Sequence, residues 1–481
     1  MAPFESRSFP DIMAVLARLC ADFEDTRLNR ITTYHDALQA IWNRSGYDRG
    51  FISNPFAGDD AARLGLVRTQ RLLDEMGYPT LDYAIIHVAG SKGKGSTSAM
   101  IDSMLRAGGH RTGRYLSPHL HSFRERFVVN NSMISEANFI QLSQQALRAA
   151  DNVEQDRPAI GTITAFELST AMALAWFAAQ SCDVTVIEVG MGGALDSTNI
   201  VTPEVSVITT LDFEHTSVLG ESIAEIADNK AGIIKHERPV LTAEQPPEAL
   251  RVITKHAADR IAPLTIAGQD WTTSGSSFTF TFVSDDVSWS GLRSALIGQH
   301  QVGNAGLAIA AIRVLGTRQP TLAVSEHAIR TGLASVSLPA RFERVELPSG
   351  STVIIDGAHT PASAKALSDA LKENFPGISA TIIIGMLADK QKDPVLEALQ
   401  PIASRWIAIS PDNPRAIPAE ELAGSIRDLD GEVETSASVR EAIEKSAGAD
   451  GAELLVVTGS FSTAVEARIA LELPEVIDPP L

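Results

Sequence analysis

Ile85-Ile86-His87-Val88-Ala89-Gly90-Ser91-Lys92-Gly93-Lys94-Gly95-Ser96-Thr97 carries the signal that decides the fold. The apolar run through Ala89 reads as a buried strand. Met100, Ile101, Met104 and Leu105 follow at helix spacing. Strand, glycine turn, Lys-x-Ser and helix together describe a phosphate cradle. Glycines let backbone N–H groups approach phosphates, the helix N-terminus adds partial positive charge, and Lys94 adds a point charge. Ser96 or Thr97 can offer a hydroxyl to Mg²⁺. The common spacing G-x-x-x-x-G-K-[ST] is not met: Val88 replaces the first glycine and Gly95 separates Lys94 from Ser96, leaving G-x-x-G-K-G-S. An incidental lysine in a glycine turn is the plainer reading, and the strand–loop–helix context argues against it. Nucleoside triphosphate binding is the expectation.

The 481 residues suggest two to three domains, and 44% apolar content suffices for full cores. A net charge of −19 argues against a nucleic-acid partner. Cys20 and Cys182 offer neither a disulfide framework nor metal-ligand spacing. Asp11, Arg18, Asp22 and Glu24 interrupt the first apolar stretch, and Ala165–Ala179 is short for a bilayer span and contains Glu167. A cytoplasmic protein without a membrane partner is expected.

The class is α/β. Residues 1–30 read as an amphipathic extension. Residues 31–335 read as a P-loop ATPase-like domain with strands at Ile85–Ala89, Val184–Val189 and Val205–Thr210. A small antiparallel β extension lies near Trp271–Trp289, where Phe278, Phe280 and Phe282 alternate with Thr279 and Thr281. Residues 336–340 read as a hinge. Residues 341–481 alternate strands and helices, including a helix over 394–403, as a doubly wound, Rossmann-like parallel sheet does. Asp356-Gly357-Ala358-His359 and Gly459-Ser460 fall at C-terminal strand ends, where such sheets bind ligands.

Glu188 closes the second strand before Val189-Gly190-Met191-Gly192-Gly193, well placed to hold a metal over phosphates; an edge acid in a turn is the alternative. His215 follows the third strand. Lys230 closes a helix begun near Glu221, where a cation answering the helix dipole is the plain reading. Ser117-Pro118-His119 reads alone as a turn.

In order along the chain, several runs resemble the folylpolyglutamate synthase/dihydrofolate synthase family of Mur-type ligases. They include His87 to Ser96, Ser117-Pro118-His119-Leu120, Thr164-Ala165-Phe166-Glu167 and Glu188 to Asn199. Glu214-His215-Thr216, Lys230-Ala231-Gly232-Ile233, His300-Gln301 with Asn304 and Leu338 to Glu343 also match. The last matches are Asp356 to His359, Gly385 to Lys390 and Thr458-Gly459-Ser460. The resemblance implies ATP-driven ligation of L-glutamate to a folate or dihydropteroate through an acyl phosphate; a monomer is the separate expectation. It implies that Gly93, Lys94, Gly95, Ser96 and Thr97 cradle phosphates, with Asn304, Arg341 and Asp356 on the nucleotide. Ser117, Glu188, His215 and a carbamylated Lys230 would hold Mg²⁺. Lys94, Lys230, His215 and His359 would serve the chemistry. His359 and Ser460 would line the glutamate pocket. Asp59 to Arg68, with Leu64 and Gly65, would form a loop closing on the pterin. Ala194, Glu214 and Thr360 depart from the family pattern. A Mur-type ligase acting on a non-folate carboxylate and a non-catalytic ATP-binding regulator are the competing readings.

Overall fold

Val88 pairs with Glu188 on one side and with Val207 on the other, so three strands end along one sheet edge. The computed structural model describes residues 31–45, 59–78, 80–447 and 454–479; the extension expected over 1–30 lies outside them. The described residues open with α1 (Tyr34–Trp42), started by a Thr33/Asp36 capping box, and α2 (Asp59–Glu75). The expectation of a loop from Asp59 to Arg68 is therefore corrected to a helix. The run contains no proline, and its single interior glycine, Gly65, costs a helix only about 1 kcal/mol.

The first sheet is built from β1 (Ala84–Ala89), β2 (Thr112–Tyr115), β3 (Val128–Val129), β4 (Ser132–Met133), β5 (Val184–Glu188), β6 (Val205–Ile208), β7 (Val240–Thr242) and β8 (Leu264–Ile266). Their order is β4-β3-β2-β5-β1-β6-β7-β8; all pairs are parallel except those of β3 and β4 at one edge. Helices α3 (Lys94–Ala107), α4 (Glu136–Asp156), α5 (Ala165–Ala179), α6 (Thr216–Leu219), α7 (Ile223–Ala231) and α8 (Pro247–Asp259) connect these strands. β1 and β5 are buried almost throughout, which is why they read as continuous apolar runs.

The expected antiparallel extension is a separate three-stranded sheet, β9 (Trp271–Ser276), β10 (Thr279–Ser284) and β11 (Ser288–Leu292). Phe280 and Phe282 face inward, but Phe278 is exposed in the turn before β10 and does not continue their alternation. Helices α9 (Gln299–Arg318) and α10 (Glu326–Ser335) then pack with α3, sharing a core with β1, β5 and β6.

The last sheet comprises β12 (Glu343–Glu346), β13 (Thr352–Ile355), β14 (Ala380–Ile384), β15 (Ala403–Ala408), β16 (Val433–Thr435) and β17 (Leu454–Thr458), ordered β12-β13-β17-β14-β15-β16. All pairs are parallel except β12 with β13. Its helices are α11 (Pro361–Asn374), α12 (Lys392–Leu399), α13 (Ala419–Asp428), α14 (Val439–Ala447) and α15 (Phe461–Ala470). The helix expected over 394–403 stops earlier. Pro401 sits in a short 3₁₀ turn, Gln400–Ile402, and Ala403 already belongs to β15. Among the described residues no helix is long and apolar enough to cross a membrane.

Candidate active site

The glycine loop is held from behind by backbone and from above by α9. Ser91 and Lys92 N–H groups both donate to Thr210 O at 3.0 Å. Gly93 adopts φ 87° as the residue before α3. A Cβ there would stand 2.4 Å from Asn304 Oδ1, and one on Gly90 would stand 1.8 Å from Thr209 Oγ1. Only glycine fits either place. Lys94 Nζ donates to Gly90 O at 2.8 Å, curling over the loop. The N–H groups of Lys94, Gly95 and Ser96 open α3 and have no acceptor within it, so they can meet an anion. The buried Thr97 hydroxyl has no protein partner, whereas Ser96 Oγ accepts from Gln301 Nε2 at 3.3 Å. Gln301, whose Oε1 also accepts from Asn304 Nδ2, stood in the sequence only within the His300-Gln301 match, with no role attached.

Glu188 is buried at the end of β5, and its Oε2 accepts the Ser117 N–H at 3.1 Å. A Cβ on Gly95 would lie 3.8 and 3.9 Å from its two oxygens, so the carboxylate hangs over the start of α3. Burial pushes its carboxyl up to about 7, although Lys94, the Ser117 N–H and Arg341 pull the other way. His215 precedes α6 at φ 46° and is exposed; partial desolvation, together with Lys94, Lys230 and Lys390, lowers its imidazole. Lys230 is turned inward from the last turn of α7 and is only 1% exposed. Its Nζ donates to Glu214 Oε1 at 2.6 Å and to Gly90 O at 2.9 Å. A solvent-facing cation answering the helix dipole is thus not what stands here. Burial, with Lys94 nearby, pushes Lys230 down to about 8. Burial raises Glu214, but Lys94 and Lys230 outweigh it and hold that carboxyl below its ordinary range.

Just ahead of β12, Arg341 places its guanidinium 4.6 Å from the Phe461 ring centroid. Asp356, only half-buried, has its carboxyl raised chiefly by desolvation and accepts the Phe342 N–H at 2.8 Å and the Ala358 N–H at 2.9 Å. His359 lies 5.7 Å from the same Phe461 ring, and its Nδ1 pairs with Gly357 O at 2.8 Å. A carbonyl only accepts, so Nδ1 carries the proton and Nε2 a lone pair. Burial pushes this imidazole down to about 4, with Lys390 and Lys92 adding to the effect. Ser460 Oγ is engaged as the cap of α15, accepting the Thr463 N–H at 3.0 Å. Phe461 and Lys390 were not singled out in the sequence. An aromatic directly after Gly-Ser and the lysine of Gly385 to Lys390 were the available signals.

Leu64, Gly65 and Arg68 lie on α2 against α5. Arg68 is committed to protein partners: Nε and one terminal nitrogen hold both oxygens of Glu167, at 2.9 and 2.6 Å, and the other terminal nitrogen donates to Ile160 O. One of the departures has a local cause: Thr360 caps α11 with Ser363 ahead of Pro361. A Cβ on Gly232 would approach that of Ala194 to 2.3 Å, which accounts for the glycine at 232, and nothing in the structure explains the alanine at 194. Among the described residues no three His, Cys, Asp or Glu side chains form a metal cluster.

Residues 88–312 match the Mur ligase middle domain, and 340–461 match the Mur ligase glutamate ligase domain. A dihydrofolate synthase/folylpolyglutamate synthase of Bacillus subtilis is 34% identical over 410 residues, covering 82% of this chain and 92% of that protein. The chain belongs to the folylpolyglutamate synthase/dihydrofolate synthase family. Its fold is the two-domain α/β fold of Mur-type ligases, and ligase is the enzyme class that goes with it. The Mycobacterium tuberculosis folylpolyglutamate synthase solved with ADP and AMPPCP superposes with a TM-score of 0.77 at 33% identity, covering 84% of this chain and 94% of that one. Escherichia coli FolC, solved with DHPP and ADP, gives 0.78 at 31% identity, covering 92% and 98%.

Proposed function

We propose that the protein adds L-glutamate to a folate or dihydropteroate carboxylate in an ATP-driven ligation, working as a cytoplasmic monomer. The observation that carries this reading is the convergence of Lys94, Glu188, Glu214 and Lys230 on the loop Gly90–Gly95. The loop N–H groups, Lys94 and the Ser96 and Thr97 hydroxyls receive the phosphates of ATP. Asn304 walls the loop, and Arg341 and Asp356 reach the nucleotide from residues 341–481 across a hinge at 336–340, next to Ala340 and Phe342 with φ of 56° and 49°. Residues 31–335 form the ATP-binding domain of this reading.

The residues fit Mg²⁺. Glu188 is a buried carboxylate facing the first turn of α3, and one or two protein carboxylates beside phosphate and water are what this ion ordinarily takes. Glu188, the Ser117 hydroxyl and His215 would hold it. Bound there, it would neutralise phosphate charge and polarise the transferred group. Lys230 would join a second cation as a carbamate: its neutral amine bonds to CO₂ and loses one proton. About one amine in ten is neutral at pH 7 when the pKa is near 8. The product is an anion beside Glu214, so it is favourable only with a cation between the two.

The folate carboxylate takes the γ-phosphoryl group as an acyl phosphate. The glutamate amine attacks its carbon, and phosphate leaves. His359 Nε2, free to accept, orients that amine, and Ser460 closes the glutamate pocket. Leu64, Gly65 and Arg68 lie on the pterin side. The Arg68–Glu167 pair supports a shaping role there. ATP hydrolysis by the purified protein that requires both a folate and glutamate, with product mass raised by one glutamyl unit, is the expected result. Turnover with a non-folate carboxylate, or ATP binding without turnover, would sink the reading.

A further inference from the structure

The stretch from Ser117 to Glu125 runs from the candidate active site to the far end of the chain. At one end the Ser117 N–H meets Glu188. Leu120 then packs against the core of the last sheet, among Ala340, Val353 and Ile355. Glu125 folds back and accepts the N–H groups of Leu120, His121 and Ser122 at 2.7–2.8 Å. This tight loop is gripped by two residues that follow it by more than three hundred positions. Arg468, from α15, donates through Nε to His121 Nε2 at 3.0 Å and pairs with Glu343. Glu343 in turn accepts the Ala340 N–H at 2.9 Å. Asp478 makes three contacts: its N–H donates to His121 O at 2.9 Å, Oδ2 accepts the Phe123 N–H at 2.6 Å, and Oδ1 accepts the Tyr34 hydroxyl at 2.9 Å.

We propose that Asp478 and Arg468 form a clasp that positions the 117–125 loop, and with it Ser117, against Glu188. The carboxylate is well suited to this. It satisfies a main-chain donor and a largely buried phenol at once, and charged hydrogen bonds of this kind are among the stronger ones. Neither residue touches the phosphate loop, so both act through the loop they hold. Because Arg468 also reaches Glu343, and Glu343 reaches Ala340, the same clasp ties the loop to the connection between the two sheets. The inference rests on the proposed role of Ser117 for its effect on Mg²⁺, but not for the grip itself.

The test uses the full chain with Asp478→Ala, Asp478→Glu and Ser117→Ala. Amide exchange reads the grip without ligands. In Asp478→Ala, exchange at His121 to Phe123 should quicken about tenfold, with α4 unchanged, because a charged hydrogen bond to the main chain is lost. The Mg²⁺ concentration for half-maximal activity should rise by a similar factor, and Asp478→Glu should recover part of both effects. Exchange that stays at the wild-type rate in folded Asp478→Ala would overturn the clasp. Faster exchange with an unchanged Mg²⁺ requirement, when Ser117→Ala does raise it, would overturn the positioning role and leave a mere strap. A normal Mg²⁺ requirement in Ser117→Ala defeats the metal reading instead, and the exchange rates then decide the clasp alone.

Discussion

Lys230 Nζ bridges Glu214 Oε1 and Gly90 O, joining the end of α7 to the first residue of the phosphate loop. One ammonium thereby fixes the loop and balances a half-buried acid. Lys230→Ala should lower kcat about a hundredfold, the scale of losing a group that acts directly on the reacting charge. Short carboxylic acids should restore part of it, and stripped CO₂ should lower wild-type activity only when Mg²⁺ is present. Full activity in Lys230→Arg, which cannot carbamylate, would assign the lysine as a plain point charge.

Gly93→Ala tests the fit of the loop. The new methyl would face Asn304 Oδ1 from a backbone at positive φ, a strain of about 1–3 kcal/mol. The ATP concentration needed for half-maximal rate should rise tenfold or more. Adding Asn304→Ala removes the steric term and leaves the backbone term, so recovery should be partial. Steady-state titration of ATP in both variants reads this directly.

Arg68→Ala separates a substrate contact from a scaffold. Glu167 would be left buried without its partner, and breaking such a pair typically costs about 3–5 kcal/mol. Denaturant titration should show that loss, and Arg68→Ala/Glu167→Gln should regain much of it. A large rise in folate KM at unchanged stability would return Arg68 to direct contact with substrate.

Acid should act partly through His87. Its Nε2 meets Thr198 Oγ1, whose proton goes to Asp196, so Nε2 donates and the ring is neutral. Burial pushes it from 6.5 down to about 3. Between those values the unfolded chain binds a proton that the folded one refuses. Stability from this residue is therefore complete above pH 6.5 and falls as pH drops toward 3, with a slope of at most about 1.4 kcal/mol per pH unit. His87→Gln, which keeps a donor toward Thr198, should unfold over a flatter pH range in equilibrium denaturation.

The central strands were legible because burial on both faces leaves an uninterrupted apolar run, as in Ile85–Ala89 and Val184–Glu188. β12 and β16 were not: Glu343-Arg344-Val345-Glu346 is a charged edge strand, and Val433–Thr435 spans three residues. The residues now found around the phosphate loop were nameable from their motifs. Their partners were not. Helix periodicity does not say that Lys230 turns inward. The Arg68–Glu167 and Arg468–His121 contacts join positions 99 and 347 residues apart, where local pattern carries no information. Ser460 illustrates the reverse case, a hydroxyl named for a ligand that also has ordinary capping work.

Gln301 donates to Ser96 from 205 residues downstream, and Asn304 seals the same loop. During synthesis the glycine loop emerges long before its wall does. At about 5–20 residues per second, roughly 10–40 s pass before α9 can close over it. For that interval the nascent chain carries the nucleotide motif without Gln301 and Asn304, the two side chains that wall it from α9. The wall of the loop is thereby a late addition in the life of the chain, set by the arrival of one helix.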